Sequence, residues 1–319
     1  MKKILITGGA GYIGSCTVQY FLKKKYYVIV VDNFQTGKNL IKNKNCKYFK
    51  INFYSKKTFK LIKDYKISTI IHLAGSIDSN ESVFKPKKYF LNNYKNLKKF
   101  LNGCENLNVK KIIFSSSAAV YGKRSNKKFI KENSKLFPVS PYGRSKLLAE
   151  KALCKSKIKA IILRYFNVAG PSFDLKFNQK HKSYKHLLKK LLELEMSKKI
   201  KHNFLINGNN YKTKDGTCVR DFIHVQDIAK INYNSMFFKF KKNLIINCGS
   251  ADPISVKYVV SEFIKNSKKK IIVKIGPKRA GDPPFLLSDN KVLKKNYKIS
   301  LKNINIIIKD TLKYVYKNH

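Results

Sequence analysis

Tyr142 and Lys146 stand four residues apart in the stretch SPYGRSK, and on a helix that spacing brings both side chains to one face. A phenol is a poor base near neutrality, but an ammonium beside it favours the phenolate and lowers its pKa into a usable range. Upstream, Ser115, Ser116 and Ser117 close an apolar run that reads as a strand, and open α/β sheets bind ligands at the carboxyl ends of their strands. The Ser117 hydroxyl can hydrogen-bond the same phenol oxygen. A lone Tyr-x-x-x-Lys is common on helix surfaces, so its weight depends on what precedes it.

What precedes it is a glycine-rich turn. The apolar run KILIT leads into Gly8-Gly9-Ala10-Gly11-Tyr12-Ile13-Gly14. In such a turn the first glycine permits a tight bend, the second lets the backbone approach a pyrophosphate, and the third lets helix and strand pack closely. The phosphates then sit at a helix N-terminus. Eighteen residues after Gly14 stands Asp32, at the end of a second apolar run, YVIVVD. A carboxylate there accepts from both ribose hydroxyls of NAD and repels the additional phosphate of NADP. A purely structural glycine turn is the alternative, and the order strand, glycines, helix, strand, acid disfavours it.

The elements that must position these residues alternate short apolar runs with amphipathic or turn-rich stretches: KILIT, YVIVVD, TIIHLAG, KIIFSSS and AIILRYF each read as a buried parallel strand. Repeated βαβ units predict an α/β fold, a doubly wound parallel Rossmann sheet. Beyond Asn167 the rhythm loosens into a helix in HLLKKLLELEM, a strand-like LIINCGS and a last helix in DTLKYVYK. The expected division is a dinucleotide-binding domain over 1–168 and a smaller C-terminal substrate domain over 169–319, with the segment around 220–250 returning to the first. At 319 residues the chain is long enough to bury a large core.

A formal net charge of +50 suggests nucleic acid or another polyanion as partner. Its distribution argues otherwise: lysines occur in nearly every segment, without one basic block or an aromatic platform. A diffuse coat reads as a solvated surface, so no specific nucleic-acid partner is expected. Only five basic residues are arginines (Arg124, Arg144, Arg164, Arg220 and Arg279), and where arginine persists in so lysine-rich a chain its planar fork marks a need. Six scattered cysteines without a Cys-x-x-Cys pair indicate neither zinc nor a disulfide framework. No His, Asp or Glu cluster has metal-ligand spacing, and no metal is expected. His72 and His224, flanked by apolar residues, read as satisfied core histidines. The apolar run behind the basic start is too short for a signal peptide or membrane span, so a cytoplasmic protein that binds no membrane is expected.

Together the motifs resemble the extended short-chain dehydrogenase/reductase family, and within it the UDP-glucose 4-epimerases. The resemblance runs through TGGAGYIGS, VDNF, IIHLAGSIDSNESVFKPKKYFLNN, SSSAAVYG, SPYGRSK, LRYFNVAG, DGTCVRDFIHVQDIA and RAGD, nearly the whole chain. It implies NAD as cofactor, a UDP-sugar as substrate, a homodimer, and interconversion of UDP-glucose and UDP-galactose through a 4-keto sugar with transient hydride transfer to NAD. By resemblance Tyr142 is the general base and acid, Lys146 binds the nicotinamide ribose, and Ser117 orients the sugar 4-hydroxyl. Gly8, Gly11, Tyr12, Ile13, Gly14, Asp32, Asn33, Asn93 and Tyr165 join Tyr142 and Lys146 around the cofactor. Asn167, Arg220, Arg279 and Asp282 join Ser117 and Tyr142 around the UDP-sugar. Read singly, Arg220-Asp221 is better taken as a surface ion pair and Arg279 as a solvated charge.

Several positions depart from the family pattern. Ile77 replaces a lysine that lies near the cofactor, Ala119 a threonine, and Asn52 an aspartate near the adenine. Asn207 stands where an apolar ring packs by the uracil, and His186 near a substrate-contacting asparagine. These bear on affinity and sugar preference, since the catalytic positions are intact. A residue shortly after the GD motif limits room at the sugar 2-position in these epimerases; alignment places Leu286 there, with Phe285 as the competing choice. Two other activities are weighed: another nucleotide-sugar enzyme, such as a 4,6-dehydratase or decarboxylase, and polyanion binding on an inactive dehydrogenase scaffold. Dehydratases carry an Asp-Glu pair where this chain has Ala118 and Ala119, and intact Ser117, Tyr142 and Lys146 argue against an inactive scaffold.

Overall fold

The computed structural model describes residues 1–122, 128–178, 186–240, 242–279 and 282–318. Along the chain run β1 (Lys3–Thr7), α1 (Tyr12–Lys23), β2 (Tyr27–Asp32), β3 (Cys46–Lys50), α2 (Lys56–Asp64), β4 (Thr69–His72), α3 (Ser79–Phe84), α4 (Pro86–Phe90), α5 (Asn96–Glu105) and β5 (Lys111–Ser117). Then follow α6 (Pro141–Lys155), β6 (Lys159–Tyr165), β7 (Asn167–Ala169), α7 (Leu187–Glu195), β8 (Lys201–Asn207), β9 (Val219–Arg220), β10 (Phe222–His224) and α8 (Val225–Ser235). The last elements are β11 (Leu244–Cys248), β12 (Ile254–Ser255), α9 (Val256–Asn266), β13 (Lys270–Gly276), β14 (Phe285–Leu286), α10 (Lys291–Asn296) and α11 (Ile304–Asn318).

The chain forms two compact units. The first comprises Met1–Gly122, Leu136–Tyr165 and Ile228–Ile246, and the second the described residues of Lys123–Lys135, Phe166–Asp227 and Asn247–His319. The first unit is built on a seven-stranded sheet of order β11-β6-β5-β4-β1-β2-β3. Pairings from β6 across to β3 are parallel, so the sheet is doubly wound, and the order reverses direction between β1 and β4. Its strands are β-branched runs buried along nearly their whole length, as both-faces-covered parallel strands must be. Leu5, Ile29, Ile70, Ile112 and Ile162 meet Leu97, Phe100 and Leu153 from the helices in one core.

The second unit has no large sheet among its described residues. It pairs β8 with β13 and β7 with β10, both parallel, and sets β9 between β12 and β14. Its core joins Leu188 and Leu191 of α7, Phe204 and Ile206 of β8, Val259 and Phe263 of α9, and Ile307, Ile308 and Leu312 of α11.

Candidate active site

Helix α6 starts on Ser140, whose side chain accepts from the Gly143 N–H, with Pro141 at the first helical position. That cap fixes Tyr142 in the first turn. A Cβ on Gly143 would stand 2.6 Å from the Ala119 carbonyl oxygen; only glycine lets this turn press against the segment leaving β5 and bring Tyr142 to Ser117. Tyr142 and Lys146 are both buried. Burial raises the Tyr142 phenol above its ordinary pKa, and a hydrogen bond with Ser117 pulls the other way.

The Lys146 ammonium donates to the Ser115 carbonyl oxygen at 2.8 Å and lies over the Phe114 ring, 4.9 Å from its centroid. One N–H of the Lys146 amine is thus held by the strand backbone, and Ser117 is a group that favours the phenolate. Burial lowers Lys146 itself to about 8, while the Glu150 carboxylate one turn further along α6 works to raise it.

The three serines divide the work. Ser115 offers its carbonyl to Lys146, and Ser116 donates its hydroxyl to Glu150 Oε1 at 2.5 Å. Ser117 stands by the Tyr142 phenol, whose pKa it lowers, and accepts from the Ala119 N–H at 3.2 Å. Glu150 also receives a two-pronged contact from Arg164 of β6, Nε to Oε1 at 3.0 Å and Nη2 to Oε2 at 2.7 Å. Arg164 Nη1 donates to the Tyr121 hydroxyl at 2.8 Å. Both members of this ion pair are almost completely buried.

On the same carboxyl edge of the sheet, after β1, Gly8 takes a positive φ of +72°, and a Cβ on Gly14 would stand 2.0 Å from the Gly8 carbonyl oxygen. A Cβ on Gly11 would meet only that oxygen, at 3.3 Å. The space over Gly11 is otherwise open, at the end of α1, which Gly11 caps without a side-chain acceptor. Such a cradle suits a pyrophosphate. The Asp32 carboxylate is fixed by the Ala10 N–H at 3.0 Å and the Phe34 N–H at 2.8 Å; burial raises its pKa against these two bonds. Asn33 donates to Asn52 at 3.2 Å, so two sequence-flagged residues meet beside Asp32. These residues fit a dinucleotide.

Asn93 lies in a π-helical turn over Leu91–Lys95, a distortion frequent at functional sites. Its amide donates to the Ser76 carbonyl and the Ser145 hydroxyl and accepts from the Ser76 N–H. The side chain thus ties the loop after β4 to α6. Tyr165 donates to Asn232, which in turn donates to Thr17 of α1. His72 pairs with Thr7 at 2.8 Å and stacks on Phe100 and Phe114. Burial and the Lys146 charge lower it to about 3, so it is a neutral core histidine.

In the second unit, Asn167 donates from both backbone and side chain to the Asp221 carbonyl. Arg220 donates to the Val219 and Pro283 carbonyls and lies 3.4 Å from Asp282. The alternative reading of Arg220-Asp221 as a surface ion pair fails: Asp221 is fully buried and Arg220 turns to Asp282. The Asp282 N–H donates to the Arg279 carbonyl. The Asn207 amide satisfies its bonds with its oxygen facing the Arg279 guanidinium, 3.2 Å from Nε and 3.1 Å from Nη2, so Arg279 is no isolated solvated charge. Leu286 registers with Arg220 and Phe285 with Val219. Phe285 packs with Val219 and Leu287, which leaves Leu286 on the Arg220 face. Among the described residues no group of His, Cys, Asp or Glu could hold a metal, and no helix is long and apolar enough to cross a membrane.

Sequence reasoning missed Glu150, Tyr121 and Asp221 as members of these clusters. For Arg164 a signal existed, its survival as one of five arginines.

The chain belongs to the NAD dependent epimerase/dehydratase family, whose model matches residues 4–249. The UDP-glucose 4-epimerase of Lactobacillus helveticus is 34% identical over 99% of this chain and 98% of its own length. The crystal structure of UDP-glucose 4-epimerase from Bifidobacterium longum in complex with NAD+ and UDP superposes with a TM-score of 0.89 at 28% identity, covering 99% of each chain. The UDP-Glc/GlcNAc 4-epimerase of Campylobacter jejuni is 35% identical with a TM-score of 0.81, over 99% of this chain and 100% of that one.

Proposed function

We propose that this protein is an NAD-dependent 4-epimerase that interconverts UDP-glucose and UDP-galactose, with NAD held by the first unit and the UDP-sugar by the second. The observation that carries the reading is the convergence of Ser117, Tyr142 and Lys146 at the carboxyl end of β5, in a chain similar over its full length to such epimerases. Bound NAD supplies a transient acceptor for the hydrogen at sugar C4. Gly8, Gly11, Gly14 and the first turn of α1 at Tyr12 and Ile13 hold its pyrophosphate, Asp32 and Asn33 the adenosine, and Lys146 the nicotinamide ribose, with Asn93 and Tyr165 shaping that end. Tyr142 takes the proton of the 4-hydroxyl, Ser117 orients that hydroxyl, and Tyr142 returns a proton once the sugar has presented its other face. Arg220 and Arg279 neutralise the diphosphate through planar forks, Asp282 binds the uridine ribose, and Asn167 contacts the sugar. Ala118 and Ala119 leave no acid pair for dehydration. The reading includes a cytoplasmic homodimer. Six free cysteines suit a reducing compartment, and Val83, Phe84 and Leu91 expose apolar side chains for a second copy. Purified protein given UDP-galactose without added NAD should form UDP-glucose in a coupled assay; no product even with NAD supplied refutes the proposal.

Asp32 sets the cofactor. NAD should restore activity to stripped protein and NADP should not, because the carboxylate repels a 2′-phosphate and neither Asn33 nor Phe34 offers it a positive charge. Asp32→Asn keeps the shape and removes the charge, and should weaken NAD binding about tenfold to a hundredfold. Calorimetric titration of both cofactors checks this, and equal affinity of the wild type for each would refute it.

Leu286 is the residue we assign to restrict the sugar 2-position, since it shares a face with Arg220. An apolar side chain offers no partner to an N-acetyl amide, whose desolvation then opposes binding. A higher kcat/KM for UDP-galactose than for UDP-N-acetylgalactosamine is expected, and equal values would show that Leu286 does not close the pocket.

A further inference from the structure

The catalytic helix is anchored by charges that the proposed chemistry does not itself use. Tyr142, Lys146 and Glu150 recur every four residues along α6 and share one face. Glu150 is fixed in three ways: by the Ser116 hydroxyl, Arg164 Nε and Arg164 Nη2. Ser116 and Arg164 are register partners on β5 and β6, so both strands grip one carboxylate, one residue away from Ser117. Arg164 is locked in turn by the Tyr121 hydroxyl and ring, 4.8 Å from its guanidinium carbon. Resting on the epimerase reading, we infer that the Ser116–Glu150–Arg164 cluster is a positioning device that sets the register of α6 on β5 and holds a carboxylate one helical turn from the Lys146 amine.

The groups around that amine decide its charge. Glu150 acts on it from α6 and His72 from β4, with Tyr142 one turn back on the same helix face, and Arg164 of β6, bound to Glu150 at 2.7 Å, brings an opposing positive charge. His72 is neutral, so Glu150 is the nearby negative charge that opposes the burial of Lys146. With Lys146 held to about 8, its proton is lost as pH rises through that value. Removing the Glu150 charge moves the loss to lower pH.

Glu150→Gln should therefore move the Lys146 titration and the alkaline limb of kcat down by about one pH unit, the low end of the effect of a close opposite charge, with KM little changed. Because a neutral amide in place of the Glu150 carboxylate leaves the Arg164 charge uncompensated, the double variant Glu150→Gln/Arg164→Gln supplies a neutral pair should the single variant fail to fold; losing the more distant Arg164 charge offsets part of the effect, so a smaller shift in the same direction is expected of it. Ser116→Ala keeps both charges and should lower kcat without moving the limb. The Lys146 titration is read directly by NMR on protein carrying 13Cε-labelled lysine, assigned with Lys146→Met, and needs no turnover. An unchanged Lys146 titration in the folded single or double variant overturns the inference even if the wild type epimerises. A wild type without epimerase activity overturns the functional reading, and the NMR titration still decides the charge effect.

Discussion

Tyr142→Phe should lose a factor of about 10² to 10⁴ in turnover of UDP-galactose, the usual contribution of a positioned acid or base, while its thermal unfolding stays close to that of the wild type. The phenol is buried and raised by that burial, so it holds its proton at neutral pH until substrate and cofactor are bound, and Ser117 is the protein group that favours its loss. Phenylalanine preserves the edge contact with Tyr89 and removes the one oxygen able to take the proton. Lys146→Met should fall comparably but for another reason: it loses both the bond to the Ser115 carbonyl and the charge near the reacting atoms. Steady-state rates of both variants, beside melting curves, provide the check. A Tyr142→Phe enzyme that retains most of its turnover would exclude Tyr142 as the base and leave Ser117 to be tested in its place.

Much of the first unit was legible because its signals are local. Gly8, Gly11, Gly14 and Asp32 lie within one βαβ unit, and the spacing of Tyr142 and Lys146 needs nothing beyond a helix. The ion pair beneath them was not legible, since Glu150 and Arg164 meet only when β6 pairs with β5 and α6 packs over both. The scarcity of arginine pointed to Arg164 without naming its partner. The bond from the Lys146 amine to the Ser115 carbonyl could not be read from helical spacing. In the second unit the elements are short and paired across long sequence distances, as Leu286 is with Arg220. A period of two or 3.6 is weakly expressed over two-residue strands, and which of Leu286 and Phe285 shares a face with Arg220 is read only from the register.

Asp221 is the residue whose role the sequence concealed most fully, and its replacement is expected to have the largest effect on stability. Adjacent residues of an extended chain point to opposite sides, so pairing it with Arg220 was geometrically unfavourable. Its carboxylate instead accepts from Ser250 N–H at 2.7 Å, Ser250 Oγ at 2.9 Å, Ala251 N–H at 3.1 Å, Ser288 N–H at 3.0 Å and the Ser288 hydroxyl. One buried anion thereby clasps the turn after β11 to the segment after β14, while its backbone carbonyl holds Asn167. Gly249 leaves space for it, since a Cβ there would stand 2.5 Å from Asp221 Oδ2. Asp221→Ala strands three backbone N–H groups and two hydroxyls, each costing about 1–3 kcal/mol when left unpaired in the interior. Water entering the vacated space offsets part of this, so a net loss of about 3 kcal/mol or more is expected. For a unit of this size that is roughly 6 °C or more in Tm. Because Arg220, Leu286 and Asn167 adjoin the clasp, UDP affinity should fall with it, whereas NAD binding by the first unit should persist. Asp221→Asn, which keeps one acceptor and turns the other into a donor, should fall between. Calorimetric melting with separate titrations of UDP and NAD measures all three quantities, and an Asp221→Ala protein that melts with the wild type and binds UDP equally well would show that the clasp organises nothing.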